Sequence, residues 1–230
     1  MQYENIEKAV FLSRPNRFIA HIKIAGRKEI CHVKNTGRCK ELLLPGASVL
    51  VQRASGLKRK TKYDLIGVYK GSRLVNMDSQ VPNKVFYEWA ISGDFFDNIA
   101  LIKPEHRYRN SRFDFYIETG SRQILVEVKG VTLEQNGVAL FPDAPTERGI
   151  KHVTELCQAV NDGYQAYLFF IIQMKDVRYF SPNLQTHPAF ARALIDAHQQ
   201  GVKIMAIDCE VKPDSIAARD WVEVRLTQQN

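Results

Sequence analysis

Residues 111–130, SRFDFYIETGSRQILVEVKG, contain two β-like runs joined by Gly120-Ser121, a two-residue signal for a hairpin turn. If these two residues form the loop, the residue numbers of each cross-strand pair add up to 241. Asp114 then faces Glu127 across the hairpin. The stretch therefore predicts two carboxylates side by side in the middle of apolar strands.

Side chains alternate along a strand, and this alternation separates the charged residues from the apolar ones. Lys129 lies on the same face as Glu127, with Arg112 opposite it. The other face is predicted to point into a core and carries Phe113, Phe115, Ile124, Val126 and Val128.

Opposed carboxylates repel, and a divalent cation would relieve the repulsion between Asp114 and Glu127. Mg²⁺ or Mn²⁺ suits such a site, because these ions bind carboxylates together with water and phosphate oxygens. Lys129 could then hold the scissile phosphate or activate the attacking water in metal-assisted phosphodiester hydrolysis. Glu88, the acid of NKVFYEWAI (83–91), is a candidate third ligand. The alternative is a surface hairpin in which Glu127 pairs with Lys129 or Arg112 and has no catalytic role.

A helix is predicted over residues 147–162, with Thr146 as its N-cap and one apolar face. Arg148 and His152 stand one turn apart on the opposite face. If that face looks back at the hairpin, both residues could bind phosphate. An ordinary solvated helix face is the alternative.

The formal net charge of +7 is unevenly distributed along the 230 residues. Residues 1–83 contain 16 lysines and arginines against 6 acids, a net of +10, whereas residues 84–230 contain 16 against 19, a net of -3. The asymmetry predicts that the N-terminal third binds a polyanion, and a basic domain whose charge only confers solubility is the alternative.

Composition also narrows the class of protein. The longest apolar run, residues 167–172, is too short to span a bilayer, and the N-terminal segment MQYENIEKAV is unlike a secretion signal. We therefore expect a cytoplasmic protein with no membrane partner. Four widely spaced cysteines predict neither a disulfide framework nor a zinc site.

Two regions of different pattern predict a two-domain protein. Residues 17–77 contain five short β-like runs, which suit an all-β, OB-like barrel in a domain of residues 1–82; an SH3-like barrel is the alternative. After Pro82, helices alternate with apolar strands, which predicts an α/β domain over residues 83–230. The segment WVEVRL (221–226) is expected to be its last strand.

Cationic and polar side chains are candidates for binding a nucleic-acid backbone. The loop GLKRKTK (56–62) holds four cations in seven residues, and NTGR (35–38) combines an amide, a hydroxyl and a guanidinium. A solvated loop tip and a simple turn are the alternatives. The full candidate set is Arg17, Asn35, Thr36, Arg38, Arg53, Lys58, Arg59, Lys60, Lys62, Arg112, Arg148 and His152.

Over essentially its whole length the chain resembles the sugar fermentation stimulation protein A family. The matching blocks are NTGR (35–38), PGASV (45–49), SRFDF (111–115), EVKGVTL (127–133) and FPDAPTERGIKHVTEL (141–156). The resemblance implies an OB-like domain joined to a domain similar to the PD-(D/E)xK restriction-endonuclease superfamily, and non-specific DNA binding. It places the superfamily motif on Asp114, Glu127 and Lys129, although Arg112-Phe113 stands where the superfamily has proline.

Our leading hypothesis is a DNA-binding protein with a Mg²⁺-dependent nuclease site. A non-catalytic DNA-binding regulator of sugar metabolism that keeps the nuclease fold is the alternative, and an RNA-binding protein is a third hypothesis. The sequence leaves open the preference for single or double strands, endonuclease or exonuclease action, sequence specificity and assembly as a homo-oligomer.

Overall fold

The computed structural model describes residues 1–35, 37–54, 59–93 and 95–227, so the candidates Thr36 and Lys58 lie outside the described residues. The N-terminal strands run β3-β2-β1-β4-β5-β6, and a parallel pairing of β3 with β5 closes the first five into an OB barrel. The strands are β1 Ile6–Asn16, β2 Ile19–Ile24, β3 Arg27–Val33, β4 Ser48–Arg53, β5 Tyr63–Lys70 and β6 Arg73–Asn76.

The barrel differs from the sequence prediction in its first and last strands. β1 was not predicted, and RLVNM (73–77), expected as the fifth barrel strand, provides β6, which pairs with β5 outside the closed barrel. β1 has only two buried residues, and its pairing with β2 is irregular around Ser13. A half-exposed, irregular strand lacks the clean apolar alternation that sequence analysis depends on.

The C-terminal domain has a six-stranded mixed sheet in the order β15-β14-β12-β9-β8-β7 and a small sheet β10-β11-β13. The three inner strands β9, β12 and β14 run parallel, and β7, β8 and β15 are antiparallel to their neighbours. The elements are α1 Val81–Ala90, β7 Ile99–Tyr108, β8 Ser111–Thr119, β9 Arg122–Val131, β10 Leu133–Gln135, β11 Val138–Phe141, α2 Glu147–Asn161, β12 Gln165–Ile172, β13 Tyr179–Pro182, α3 Pro188–Gln199, β14 Lys203–Lys212 and β15 Ser215–Trp221.

Helices cover both faces of the main sheet. On β12, Phe169 packs in the cluster that contains α1, whereas Leu168 and Phe170 pack in the cluster that contains α2 and α3. A parallel strand buried on both faces needs a nearly continuous apolar sequence, which the run AYLFFII supplies. The result is the expected α/β fold.

The last strand differs from the prediction. β15 ends at Trp221, where the segment WVEVRL begins, and within that segment Val224 makes an isolated bridge to Phe180. WVEVRL has the alternating apolar pattern of a strand. However, β15, which ends where this segment begins, already forms the edge of the sheet. Among the described residues, no helix is long and apolar enough to cross a membrane.

Buried polar contacts join the barrel to the α/β domain. Glu134 accepts hydrogen bonds from Lys70 Nζ at 2.6 Å and pairs with Arg73 at 3.1 Å. The side-chain amide of Gln173 donates to the carbonyl oxygens of Asn76 and Asp78 at 3.2 and 3.0 Å. The proposed domain boundary after residue 82 falls in the first turn of α1.

Candidate active site

The hairpin of β8 and β9 has the expected register. Gly120 and Ser121 form the turn, and the pairs run from Thr119↔Arg122 to Phe115↔Val126. Gly120 has a φ of +57°, a left-handed conformation that glycine adopts without steric cost. The paired ladder ends at Phe115↔Val126, one step before Asp114 and Glu127.

Asp114 is held by two donors at the point where the paired ladder ends. Its Oδ2 accepts the backbone N–H of Val128 at 2.7 Å, and its Oδ1 accepts the side-chain amide of Asn83 at 2.7 Å. Asn83 lies in the first turns of α1, on the other side of the sheet from α2. The carboxylate thus takes the place of a β-ladder partner and is fixed in orientation.

Glu127 is almost fully buried, with 3% exposure. Its Oε1 accepts Lys129 Nζ at 2.5 Å and lies 2.5 Å from His152 Nδ1. Its Oε2 is buried and has no hydrogen-bond partner among the described residues. A buried carboxylate oxygen without a partner is costly, which is typical of a site that receives a ligand.

His152 connects Glu127 to the surface. Arg148 Nε donates to His152 Nε2 at 3.4 Å, so Nε2 acts as the acceptor and Nδ1 carries the proton donated to Glu127. His152 is 6% exposed, and Arg148 is exposed. Of the two phosphate-binding candidates on α2, only Arg148 is placed where it can reach a ligand from solvent.

The two acids differ electrostatically. Burial and the nearby charge of Glu127 raise the pKa of Asp114, against the hydrogen bonds from Val128 and Asn83. Burial also acts to raise the pKa of Glu127, but the hydrogen bond from His152 and the charge of Lys129 outweigh it and lower that pKa. The surroundings thus favour the ionised form of Glu127 more than that of Asp114, and a cation between the acids would favour ionisation of both.

The alternation predicted for β8 breaks at Asp114. Phe115 packs against Phe86 of α1 with ring centroids 5.0 Å apart, as expected, but Phe113 packs on the α2 side, 6.3 Å from the ring of His152. The break coincides with Glu105, which lies across from Asp114 in β7 and has a φ of +53°. This left-handed residue is an irregularity that the sequence of β8 does not reveal.

Two predicted residues are not brought to the acids. Arg112 forms an exposed ion pair with Glu105 at 3.3 Å and does not face Lys129. Glu88 binds the N-terminal ammonium group of Met1 at 2.5 Å, and that group also donates to the carbonyl oxygen of Ile216 in β15. β15 is the opposite edge of the sheet, so Glu88 is not placed as a third ligand.

Sequence reasoning missed Asn83 and the role of His152. The contacts of these residues with Asp114 and Glu127 span 31 and 25 positions, and they exist because α1 and α2 pack on opposite faces of the sheet. The polar face of α2 was a usable signal for His152, whereas no local pattern marks Asn83.

Several candidate cations of the barrel already have acidic partners. Such pairs leave less charge for a polyanion. They are Arg53 with Glu7 at 2.7 Å, Arg59 with Asp64, and Lys62 with Glu29 at 3.3 Å.

Other barrel candidates remain open to solvent. Arg17, Arg38 and Lys60 are exposed and form no ion pair within the described part of the chain. Asn35 is buried, and its side chain accepts the N–H of Gly37 at 2.8 Å, so it stabilises a turn.

Comparison with known proteins agrees with this architecture. The family model "SfsA N-terminal OB domain" matches residues 12–77, and "Sugar fermentation stimulation protein RE domain" matches residues 80–215. A sugar fermentation stimulation protein homolog of Desulfitobacterium hafniense strain Y51 is 65% identical, covering 99% of this chain and 100% of its own. The chain belongs to the sugar fermentation stimulation protein family. Within this family, the homolog of Ruminiclostridium cellulolyticum is 58% identical over 98% of this chain and 100% of its own.

A solved structure of the same family has the same overall fold. The Pyrococcus furiosus SfsA, described in complex with Ca²⁺, aligns with a TM-score of 0.86 and 29% identity, and the match covers 98% of each chain. The likeness extends over the barrel and the α/β domain together.

The donor set at Asp114 and Glu127 fits a hard divalent cation. Both residues supply carboxylate oxygens, and Glu127 Oε2 has no other partner in the described structure. No group of three or more His, Cys, Asp or Glu side chains is arranged for a metal among the described residues. The protein would thus contribute two carboxylates, and water or substrate oxygens would complete the coordination.

Proposed function

We propose that this protein binds DNA without sequence specificity and hydrolyses its phosphodiester bonds with Mg²⁺ or Mn²⁺ held by Asp114 and Glu127. The observation that carries the proposal is the buried, unpartnered Oε2 of Glu127 beside the fixed carboxylate of Asp114 and the amine of Lys129. The Ca²⁺ complex of the Pyrococcus furiosus relative supports a cation with oxygen ligands.

Each side chain of the site has a distinct task in this proposal. Asn83 and the N–H of Val128 orient Asp114, and His152 orients Glu127. When bound, the cation supplies Lewis-acid chemistry at the phosphate and lowers the pKa of water. Lys129 is part-exposed and can donate to a phosphate oxygen or to the attacking water. Exposed Arg148 can bind a neighbouring phosphate.

DNA binding is supported by the basic barrel. The +10 charge of residues 1–83 and the OB domain that the family model identifies both favour a nucleic-acid partner. Contacts from lysine and arginine to phosphates carry no base information, so the binding is expected to be independent of sequence.

Substitution of Asp114 tests the nuclease proposal. Asp114→Asn keeps the size of the side chain but removes a metal-binding charge, so we expect DNA cleavage with Mg²⁺ or Mn²⁺ to fall at least about a hundredfold. Cleavage is measured on labelled single- and double-stranded DNA, with EDTA as the metal-free condition.

Glu88→Gln is the matched control, because Glu88 is an acid of the same domain at the far sheet edge. Its cleavage should equal that of the wild type. Wild-type protein that does not cut, or equal cutting by Asp114→Asn, contradicts the proposal.

One observation favours the second candidate, a non-catalytic DNA-binding regulator that keeps the nuclease fold. Lys129 and His152 both occupy Glu127 Oε1, and the carboxylate is almost closed to solvent. The regulator hypothesis predicts DNA binding that is sensitive to salt, is unchanged by EDTA and survives Lys129→Ala. Absence of cleavage together with that binding pattern would favour it.

A further inference from the structure

Three neighbouring hollows run across one side of the molecule. The barrel hollow, about 620 Å³, is lined by Arg17, Arg38 and Lys40. The sheet hollow, about 580 Å³, lies beside the small sheet and is lined by Arg178, Tyr179 and Arg225.

A smaller bridge hollow connects these two. It has a volume of about 190 Å³ and shares Arg38 and Lys40 with the barrel hollow. It shares Gln135, Asn183 and Gln185 with the sheet hollow. The three hollows therefore form one path that crosses from the barrel to the α/β domain, which we term the interdomain groove.

The interdomain groove is rich in unpaired positive charge. Arg17, Arg38, Lys40 and Arg178 are exposed and form no ion pair in the described part of the chain. Arg225 lies over the ring of Tyr179 at 4.1 Å and pairs with Glu223. The acids along the path are Glu41 and Asp143, and Asp143 is already bonded to the backbone N–H of Arg38 at 2.8 Å.

A cleft that adjoins the groove is lined by sequence neighbours of the candidate catalytic residues. A cleft of about 300 Å³ shares Gly37 and Ala144 with the barrel hollow and is lined by Gly130 and Thr146. Gly130 follows Lys129 in β9, and Thr146 caps the helix that carries Arg148 and His152. A chain that lies in the groove thus passes the mouth of a cleft that reaches Gly130, the residue after Lys129, and Thr146, two residues before Arg148.

We propose that the interdomain groove binds one strand of single-stranded DNA, with phosphates on Arg17, Arg38, Lys40 and Arg178. This proposal rests on the proposed function, because it names the form of DNA that is presented to Asp114 and Glu127. The cations give charge complementarity to a polyanion, and their spread over both domains fits a linear partner more than a compact anion.

The shape of the path favours a single strand over a duplex. The two larger hollows are in the size range of small-ligand pockets, and an unpaired strand can turn its bases into them. The exposed amides of Gln135 and Gln185 each offer a donor and an acceptor, so they can hydrogen-bond to any base without selecting a sequence. The stacked Tyr179 and Arg225 offer a flat surface for a base. A duplex keeps its bases paired and can use only the cations.

Salt-dependent binding of a labelled oligothymidylate of about 20 nucleotides tests the groove, with the full chain in EDTA and fluorescence anisotropy as the readout. The variant Arg38→Gln/Lys40→Gln/Arg178→Gln removes three phosphate contacts. We expect the slope of log affinity against log salt to become shallower by about 2, because each contact to a single strand contributes about 0.7. Affinity in low salt should fall more than about tenfold.

The control removes the same charge elsewhere. Lys103→Gln/Arg122→Gln/Arg192→Gln alters three exposed cations outside the groove, and its binding should match that of the wild type. Equal losses in the two variants overturn the proposal, because the effect would then be one of net charge. Tighter binding of a duplex of the same sequence, or of the matching RNA strand, also overturns it.

The groove proposal and the nuclease proposal can fail independently, because binding is measured in EDTA and cutting is measured only after Mg²⁺ or Mn²⁺ is added. If the wild type binds the strand through the groove but does not cut when Mg²⁺ or Mn²⁺ is added, the groove stands and the nuclease proposal fails. If the groove variant binds like the wild type, the groove fails whether or not the wild type cuts. Thermal unfolding of each variant confirms that it is folded.

Discussion

At the scale of single residues, Asp64 shows how the barrel holds a buried charge. The residue is 2% exposed and is surrounded by three basic groups: Arg59 donates to both carboxylate oxygens, Lys34 lies 3.6 Å away and His32 lies 3.3 Å away. Burial acts to raise the pKa of Asp64, but the hydrogen bond from Arg59 and the charge of Lys34 outweigh it and lower that pKa. Arg59 thus has a structural role, which the interpretation of GLKRKTK as a phosphate-binding or solvated loop does not predict.

A lowered pKa in the folded state makes Asp64 a source of stability that depends on pH. The contribution is complete above the pKa of the unfolded chain, about 3.9, and is lost as the pH falls through the lower pKa of the folded state. Asp64→Asn should therefore reduce the free energy of unfolding by about 2 kcal/mol near neutral pH. The difference from wild type should shrink in strong acid, as urea unfolding at both conditions will show.

The exposed acid Asp214 provides the control for this experiment. Asp214→Asn is expected to leave stability close to that of the wild type at both conditions. A deficit of Asp64→Asn that stays constant from neutral to strongly acidic pH would contradict the electrostatic account.

The sequence predicted the central residues of the candidate site because they belong to one hairpin. Asp114, Glu127 and Lys129 follow from a turn signal and a period of two. Asn83 and His152 could not be placed with them, since their positions depend on how two helices pack on the sheet. Phe113 and Phe115 pack on opposite faces of the sheet, and this arrangement likewise depends on Glu105 in the neighbouring strand.

At the scale of elements, the start of α2 determines where Arg148 and His152 lie. Thr146 Oγ1 accepts the N–H of Gly149 at 3.0 Å, and its own N–H donates to His187 at 3.2 Å. The first turn of α2 is thereby fixed to the start of α3. The cap, predicted from sequence, positions the helix face that contacts Glu127.

Loss of this cap should be measurable. Thr146→Ala removes the acceptor for Gly149, and we expect the free energy of unfolding to fall by about 1 kcal/mol. Thr154→Ala is the matched control within α2, because its hydroxyl only donates back to the carbonyl of Ile150 at 3.1 Å on an exposed face. Chemical denaturation of both variants gives the comparison, and equal losses would argue against a specific capping role.

Elements with strong apolar patterns were easier to predict than strands that are largely exposed. β12 is a nearly continuous apolar run, and α2, Glu147–Asn161, lies within one residue of the helix predicted over 147–162. β1 and β7 are largely exposed and contain Pro15 and Pro104, so neither presents a clean alternation. The positions of β1 and β7 in their sheets depend on pairing with neighbouring strands, and local sequence patterns do not report such pairing.

At the scale of the whole molecule, Glu134 is a charged link between the two domains. It is buried in β10, yet both of its cationic partners, Lys70 and Arg73, come from the barrel region. Breaking such a link leaves two partly buried cations without their acceptor. The interdomain groove crosses this same junction, so the relative position of the domains matters for binding as well as for stability.

Glu134→Gln should weaken domain docking. We expect a loss of about 2 kcal/mol in the free energy of unfolding and faster proteolysis near residues 77–80. Glu210→Gln is the control, since Glu210 forms an exposed ion pair with Arg219 and is expected to leave proteolysis unchanged. Equal protection of Glu134→Gln and the wild type would show that apolar packing alone holds the domains together.

The central position of β9 limits how this hairpin can change in length during evolution. β9 is paired on both sides, with Val126 beside Phe115 and Glu127 beside Leu168. A single inserted or deleted residue between Ile124 and Glu127 would turn Glu127 toward the face covered by α1. Residues can be gained at the Gly120-Ser121 tip without this reversal, because β12 holds the register of β9. We therefore expect lineages to differ in length at the tip while the spacing of Glu127 and Lys129 stays fixed.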